Sequence, residues 1–145
     1  MATVVNQTVR KGRKFDQVLE GARTVFMRDG FEGASVDDIA REAGVSKATL
    51  YSYFPDKRLL FMEVAKSECR RQADEAEALI DDSAPVEQVL RLAAERIMDF
   101  ILSDFGQRVF RICVAESDRF PGLGHEFYHS GPQVIRNRLS DYLQK

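Results

Sequence analysis

The sequence predicts an all-α fold, and three observations carry that expectation. Apolar residues recur at three- and four-residue intervals, as in Phe15, Val18, Leu19, Ala22, Val25 and Phe26, which place one stripe along a helix. The strict alternation of half-buried strands is absent, and turn signals are too widely spaced for an all-β chain. The breaks between apolar segments carry helix-ending and helix-starting residues: Gly30, Gly44 and Pro55 as stops, Ser35, Ser46 and Asp56 as caps.

Taken in order, the first helix is expected over about Lys14 to Asp29, with Gly30 ending it and Phe31 to Ala34 forming a short loop. Ser35 is the natural N-cap of a second helix, Val36 to Ala43. Asp38 stands three residues on in a box-like cap, and Asp37 suits the positive end of the helix dipole. Ser46 caps a third, short helix that Pro55 stops. Asp56 opens a long fourth helix from Lys57 to Leu79 or Ile80, and Asp81-Asp82-Ser83-Ala84-Pro85 breaks the chain again. Two helices follow, over about Val86–Leu102 and Phe105–Glu116, then a loop, a short helical piece at "HEFYH", and a last helix to Lys145. Ser130-Gly131-Pro132 offers that helix an N-cap and a proline at its first position. With no C-cap glycine or polar tail, the ending reads as a break within a longer protein.

Composition narrows the class. At 145 residues with 44% hydrophobic and 30% charged side chains, the chain is long enough to bury a sizeable core and lacks the bias of disordered or fibrous proteins. No membrane span or secretory apolar region is visible, so the expected compartment is the cytoplasm. Cys69 and Cys113 are far apart and in no C-x-x-C spacing, which argues against a disulfide framework or a structural zinc site. The net charge is −2, but the first 60 residues carry ten Lys/Arg against eight Asp/Glu, and the remainder eleven against fifteen. Arg10, Lys11, Arg13 and Lys14 crowd ahead of the first helix as a basic arm, the pattern of a segment that follows phosphates. The expected organisation is a basic arm over 1–13, a three-helix domain over 14–56, and a helical regulatory domain over 57–145.

Residues 35–54 carry the most informative pattern: two short helices joined by Ala43-Gly44-Val45, with apolar positions at 36, 39, 40, 43, 45, 50 and 54. That is the arrangement of a helix-turn-helix unit. Small Ala40 lets the helices approach, Gly44 supplies the turn geometry, and Val45 fills the angle between them. The second helix of the unit is about 12 Å long, which suits a major groove. Its Lys47, Ala48, Thr49, Tyr51, Ser52 and Tyr53 are read as outward, a set of hydroxyls, one lysine and one small residue suited to phosphates and base edges, while Leu50 and Phe54 are read as core.

The stretch "SVDDIAREAGVSKATLYSYFPDKRLLF", residues 35–61, resembles the DNA-binding domain of the tetracycline-repressor (TetR) family of bacterial transcription regulators. The resemblance extends from about Phe15 to Val64 and includes the approach "DGFEGAS". It implies a homodimer that binds a palindromic operator through three amino-terminal helices, with a small-molecule effector pocket in a helical carboxy-terminal domain and repression as the action. It also implies that Ser35 and Thr49 contact phosphates or bases, that Lys47 and Tyr51 face the groove, that Tyr53 grips a phosphate, and that Lys57 clamps the backbone. Arg10 and Lys11 would enter the adjacent minor groove or lie along phosphate. Ala48 departs from the family, where glycine is frequent, and would tune the DNA contact.

In the second half, aromatic residues are numerous, and most serve as core. Phe100, Phe110, Cys113, Phe127 and Tyr128 are the candidates for a ligand cavity between helices, and the ligand would be small and largely apolar. "HEFYH" satisfies the zinc-protease pattern H-E-x-x-H. A zinc hydrolase needs a third protein ligand, but downstream of His129 there is no histidine or glutamate and Asp141 is the only acid. The longer form of the motif fails at Pro132 and Ile135. The reading is therefore a non-enzyme without a cofactor. A metal-responsive alternative would have His125 and His129, on one helical face, bind a metal together with Cys113, Asp118 or a second copy of the chain.

Overall fold

The computed structural model describes residues 12–81 and 83–145, so Arg10 and Lys11 of the basic arm lie outside the described residues. Among the described residues there are eight helices and no strand: α1 (Arg13–Gly33), α2 (Val36–Ala43), α3 (Lys47–Tyr53), α4 (Lys57–Ala78), α5 (Val86–Leu102), α6 (Asp104–Ala115), α7 (Leu123–Ser130) and α8 (Pro132–Leu143). The chain divides into two compact units, Met1–Leu60 and Phe61–Lys145, and the division falls inside α4.

In the first unit, α1 buries Phe15, Val18, Ala22, Val25 and Phe26, five of the six residues of its predicted stripe. Gly30 interrupts it with φ 73° and ψ 177°, a conformation open to glycine and strained for side chains. The predicted loop after it is a further helical turn, because the chain recovers helical geometry at once and the Ala34 N–H bonds back to Gly30 O at 3.2 Å. Gly21 brings α1 close to α2: a Cβ there would lie 2.7 Å from both the Cβ and the backbone N of Ala43. A small residue is thus needed at Gly21 for α1 to meet α2, a contact separate from the one expected of Ala40 between α2 and α3.

Local chemistry sets the ends of α2 and α3. Ser35 Oγ accepts from Asp38 N at 3.0 Å, while the Asp38 carboxylate takes a bond from Arg41 at 3.1 Å. At the other end Gly44 is left-handed, with φ 69° and ψ 32°. Its N–H reaches Arg41 O, and the Val45 N–H reaches Ala40 O, the paired bonds of a Schellman ending. Ser46 Oγ then accepts from Thr49 N at 3.1 Å and donates to Thr49 Oγ1 at 2.9 Å. Asp56 Oδ1 accepts from Arg58 N at 2.8 Å and opens α4 as predicted.

In the second unit, α4 ends at Ala78, before the predicted Leu79 or Ile80, and two tight turn bonds, Leu79 N to Ala76 O and Ile80 N to Glu77 O, close it. Ser103 serves two helices: its N–H bonds to the end of α5, and its Oγ accepts from Gly106 N at 3.0 Å and donates to Phe100 O at 2.7 Å. That cap starts α6 at Asp104, one residue earlier than predicted. Helix α7 is longer than "HEFYH". The N-cap of α8 is Gly131 without a side-chain bond, while Pro132 takes the first helical position. Ser130 therefore closes α7 and does not cap α8. No helix among the described residues is long and apolar enough to cross a membrane.

Candidate nucleic-acid interface and ligand cavity

On α3, burial sorts the residues by face. Leu50 is 1% exposed and anchors the helix, and Phe54 follows it into the core against Phe15, ring centroids 5.6 Å apart. Lys47, Ala48, Tyr51 and Ser52 are exposed, and their spacing of one and four residues forms a single continuous face. Thr49 and Tyr53 flank that face and are half-buried. Tyr53 sets its ring edge-on to Phe15 at 5.8 Å, so its ring belongs to the packing of the unit. The outward set is narrower than the six residues predicted.

The cations near this face already have partners. Lys47 Nζ lies 2.7 Å from Asp37 Oδ1, which ties the start of α3 to the start of α2. The hydrogen bond and charge of Lys47 hold the Asp37 carboxyl below its ordinary range, and Asp37 raises Lys47 in return. Lys57 is half-buried: its ammonium donates to Phe31 O at 2.8 Å and Ala34 O at 3.0 Å and sits 4.5 Å from the centre of the Phe31 ring. Two of its three hydrogens are therefore occupied within the fold, leaving one for a phosphate. Ser35, as N-cap, uses its oxygen as an acceptor and keeps its hydrogen free to donate.

The second unit holds a cavity of about 1260 Å³ that is partly open to solvent. Phe100, Phe110, Cys113, Phe127 and Tyr128 all lie on its wall. The sequence did not single out Ile97, Ile135, Leu139 and Tyr142, which line it as well, nor Arg96, Arg136 and Arg138, which bring positive charge to an otherwise apolar site. Arg138 is engaged elsewhere, 2.7 Å from Asp74 and 3.1 Å from Glu77. Burial raises the Cys113 thiol above its ordinary range and, with help from Glu68, pushes the Cys69 thiol up to about 12. Both stay protonated near neutrality, and neither is a thiolate nucleophile.

His125 and His129 meet on α7, with their Nε2 atoms 2.8 Å apart. Neither Cys113 nor Asp118 joins them: among the described residues no group of three or more His, Cys, Asp or Glu side chains is placed to hold a metal. The third ligand that a zinc hydrolase requires is not supplied by the described residues.

A capped helix, a left-handed glycine turn and a second helix with a polar outer face define a helix-turn-helix DNA-binding regulator. Residues 18–64 match the family of bacterial regulatory proteins designated tetR, and residues 88–145 match the carboxy-terminal domain of AefR-like transcriptional repressors. The chain belongs to the tetR family. It is 39% identical in sequence to the flavonoid-responsive regulator FrrA, with 92% of this chain and 67% of that one covered and a TM-score of 0.53. A tetR-family regulator structure from Mesorhizobium loti MAFF303099 superposes with a TM-score of 0.68 at 29% identity, over 93% of this chain and 68% of that one. The transcriptional repressor AcnR of Corynebacterium diphtheriae is 35% identical over 71 residues, which is 49% of this chain and 37% of AcnR. The chain thus spans well under half the length of that curated relative.

Proposed function

We propose that the chain is a ligand-responsive transcriptional repressor that binds a palindromic operator as a homodimer and is released by a small, largely apolar effector. The observation that carries the reading is the exposed face of Lys47, Ala48, Tyr51 and Ser52 on a helix held from behind by Leu50 and Phe54. Tyr51 and Lys47 read the groove. Ser35, Thr49, Tyr53 and the remaining hydrogen of Lys57 hold phosphates, and Arg10 and Lys11 extend along the adjacent minor groove. Residues 14–56 form the reading domain and 57–145 the regulatory one.

The cavity is larger than the roughly 300–1,000 Å³ common for small-molecule sites, and its wall is mostly apolar. The likeness of the chain to a flavonoid-responsive regulator makes a flavonoid the first effector to try. Release follows from linkage: an effector that prefers a state with the reading heads off the half-site spacing of about 34–36 Å must weaken DNA binding by the same factor. Helix α4, within which the chain divides, is the expected lever.

Selection of duplexes from a randomised pool, followed by sequencing, tests the core of the proposal. Enrichment of an inverted repeat, changed in sequence by Tyr51→Ala, is expected; a pool that stays random after selection would overturn it. Adding naringenin to the selected complex is expected to release the DNA, and Ile135→Trp, which narrows the cavity, should blunt that release without changing the selected sequence.

A further inference from the structure

The two histidines of the sequence both stand on α7, exposed, and line neither the DNA face nor the cavity wall. Positions i and i+4 place both rings on one side of the helix. Their Nε2 atoms are 2.8 Å apart while the ring centroids are 4.1 Å apart, so the rings lean their Nε2 edges together. The other nitrogen of His129, Nδ1, is bonded to Gln133 Oε1 one turn on, at the start of α8. An amide oxygen carries no hydrogen, so a hydrogen bond in this pairing needs the proton on Nδ1 and puts the lone pair of His129 on Nε2, the nitrogen turned to His125. This is the outer hydrogen bond that metal-ligating histidines use to fix tautomer and ring orientation. With that tautomer, the Nε2 hydrogen of His125 would fill the 2.8 Å gap between the two Nε2 atoms.

We propose that His125 and His129 form a two-imidazole site for a divalent transition metal, which replaces the proton between their Nε2 atoms, with Gln133 setting the tautomer of His129. Binding shifts that proton from His125 Nε2 to its Nδ1, so that both rings ligate as neutral imidazoles, and leaves water in the remaining coordination positions. The spacing selects among metals. With metal–nitrogen bonds of about 2.05 Å, two nitrogens this close subtend close to 90° at the ion, whereas a tetrahedral ion would need them about 0.5 Å further apart. Square-planar or octahedral Ni²⁺ and Cu²⁺ therefore fit without rearrangement, Zn²⁺ fits after a small opening, and the oxygen-preferring Mg²⁺ and Ca²⁺ do not fit. The ion would clip one turn of α7, an eight-residue helix whose Phe127 and Tyr128 face the cavity.

The test is calorimetric titration of the 145-residue chain with NiCl₂, in a Cys113→Ser background so that the thiol cannot contribute. One Ni²⁺ per chain is expected, with binding at least tenfold weaker in His125→Ala and in His129→Ala, and weakened by about tenfold or more in Gln133→Ala. Both histidines are exposed, so neither variant should disturb folding, and circular dichroism checks this. Paramagnetic broadening by Ni²⁺ should centre on the two imidazole rings. No saturable binding, or binding that survives either histidine substitution, overturns the site; undiminished affinity in Gln133→Ala overturns the tautomer-setting role.

Discussion

Lys57 is a part of the fold that the proposed function also places at the DNA interface. Its ammonium bridges two carbonyls at the end of α1 and leaves one hydrogen outward. Lys57→Met keeps the apolar stem but removes both bonds, so urea unfolding should lose about 1–3 kcal/mol, the range for bonds to a charged donor. The same variant should reduce the salt dependence of DNA binding by about one unit if the third hydrogen meets a phosphate. An unchanged urea midpoint would remove the carbonyl bonds from any structural role. Asp37 acts in the opposite direction, because it occupies Lys47 at the edge of the reading face. Asp37→Asn is expected to tighten binding to any duplex and steepen its salt dependence, and weaker binding would count against Lys47 as a DNA contact. Gly21→Ala sets two effects against each other. Helix propensity favours alanine by about 1 kcal/mol, but the added Cβ would press on the Ala43 backbone, and overpacking of that kind costs about 1–3 kcal/mol. A net loss in thermal stability is expected. Neither Gly21 nor the inward bonds of Lys57 could be read from sequence, since each depends on what the fold brings opposite; the caps at Ser35, Ser46 and Asp56 could, since each serves its own next turn.

At the level of elements, α2 and α3 were legible because their whole definition is local: a cap, an apolar pattern, a left-handed glycine and a second cap within twenty residues. The outer face of α3 was read too broadly. Sequence spacing placed Thr49 and Tyr53 outward, but Phe15, some forty residues away in the chain, draws the Tyr53 ring into the packing. The joint between α5 and α6 was located near Ser103, although the double service of that serine was not foreseen. Its close geometry makes a sharp prediction. A Cβ at Gly106 would lie 2.0 Å from Phe100 O, and backbone cannot yield as a flexible side-chain tip can. Gly106→Ala should therefore lower the thermal midpoint and shift the Phe100 ring, visible as altered aromatic ring resonances in the second unit; an unperturbed spectrum would mean that the joint relaxes freely. Helix α8 illustrates a partial reading, with Pro132 placed at its first position by a rule about φ, and Ser130 misread as the cap because a serine before a glycine has two helices it could serve.

For the molecule as a whole, the sequence shows a charge difference between residues 1–60 and the remainder, and the expected boundary falls at Lys57, where α4 begins. The chain divides between Leu60 and Phe61, within that helix, which gives no compositional sign of a boundary. Four of the five wall residues named from sequence, Phe100, Phe110, Phe127 and Tyr128, were reachable because large aromatics on successive helices of one bundle tend to converge. The arginines near them were not, since a charged residue facing inward looks in sequence like one facing out. If the cavity takes a flavonoid, naringenin at a hundred times its dissociation constant should stabilise the chain by about 2.7 kcal/mol, and the absence of any thermal shift would speak against occupancy. A different consequence follows from the burial pattern of α3. Leu50 and Phe54 hold the helix, whereas Lys47, Ala48, Tyr51 and Ser52 contribute little to the core. If those four positions read DNA as proposed, they form a reading head whose letters can be exchanged while its mounting stays fixed, which would leave new target sequences within reach of a few codon changes and make the site a natural place to randomise when a repressor of chosen specificity is wanted.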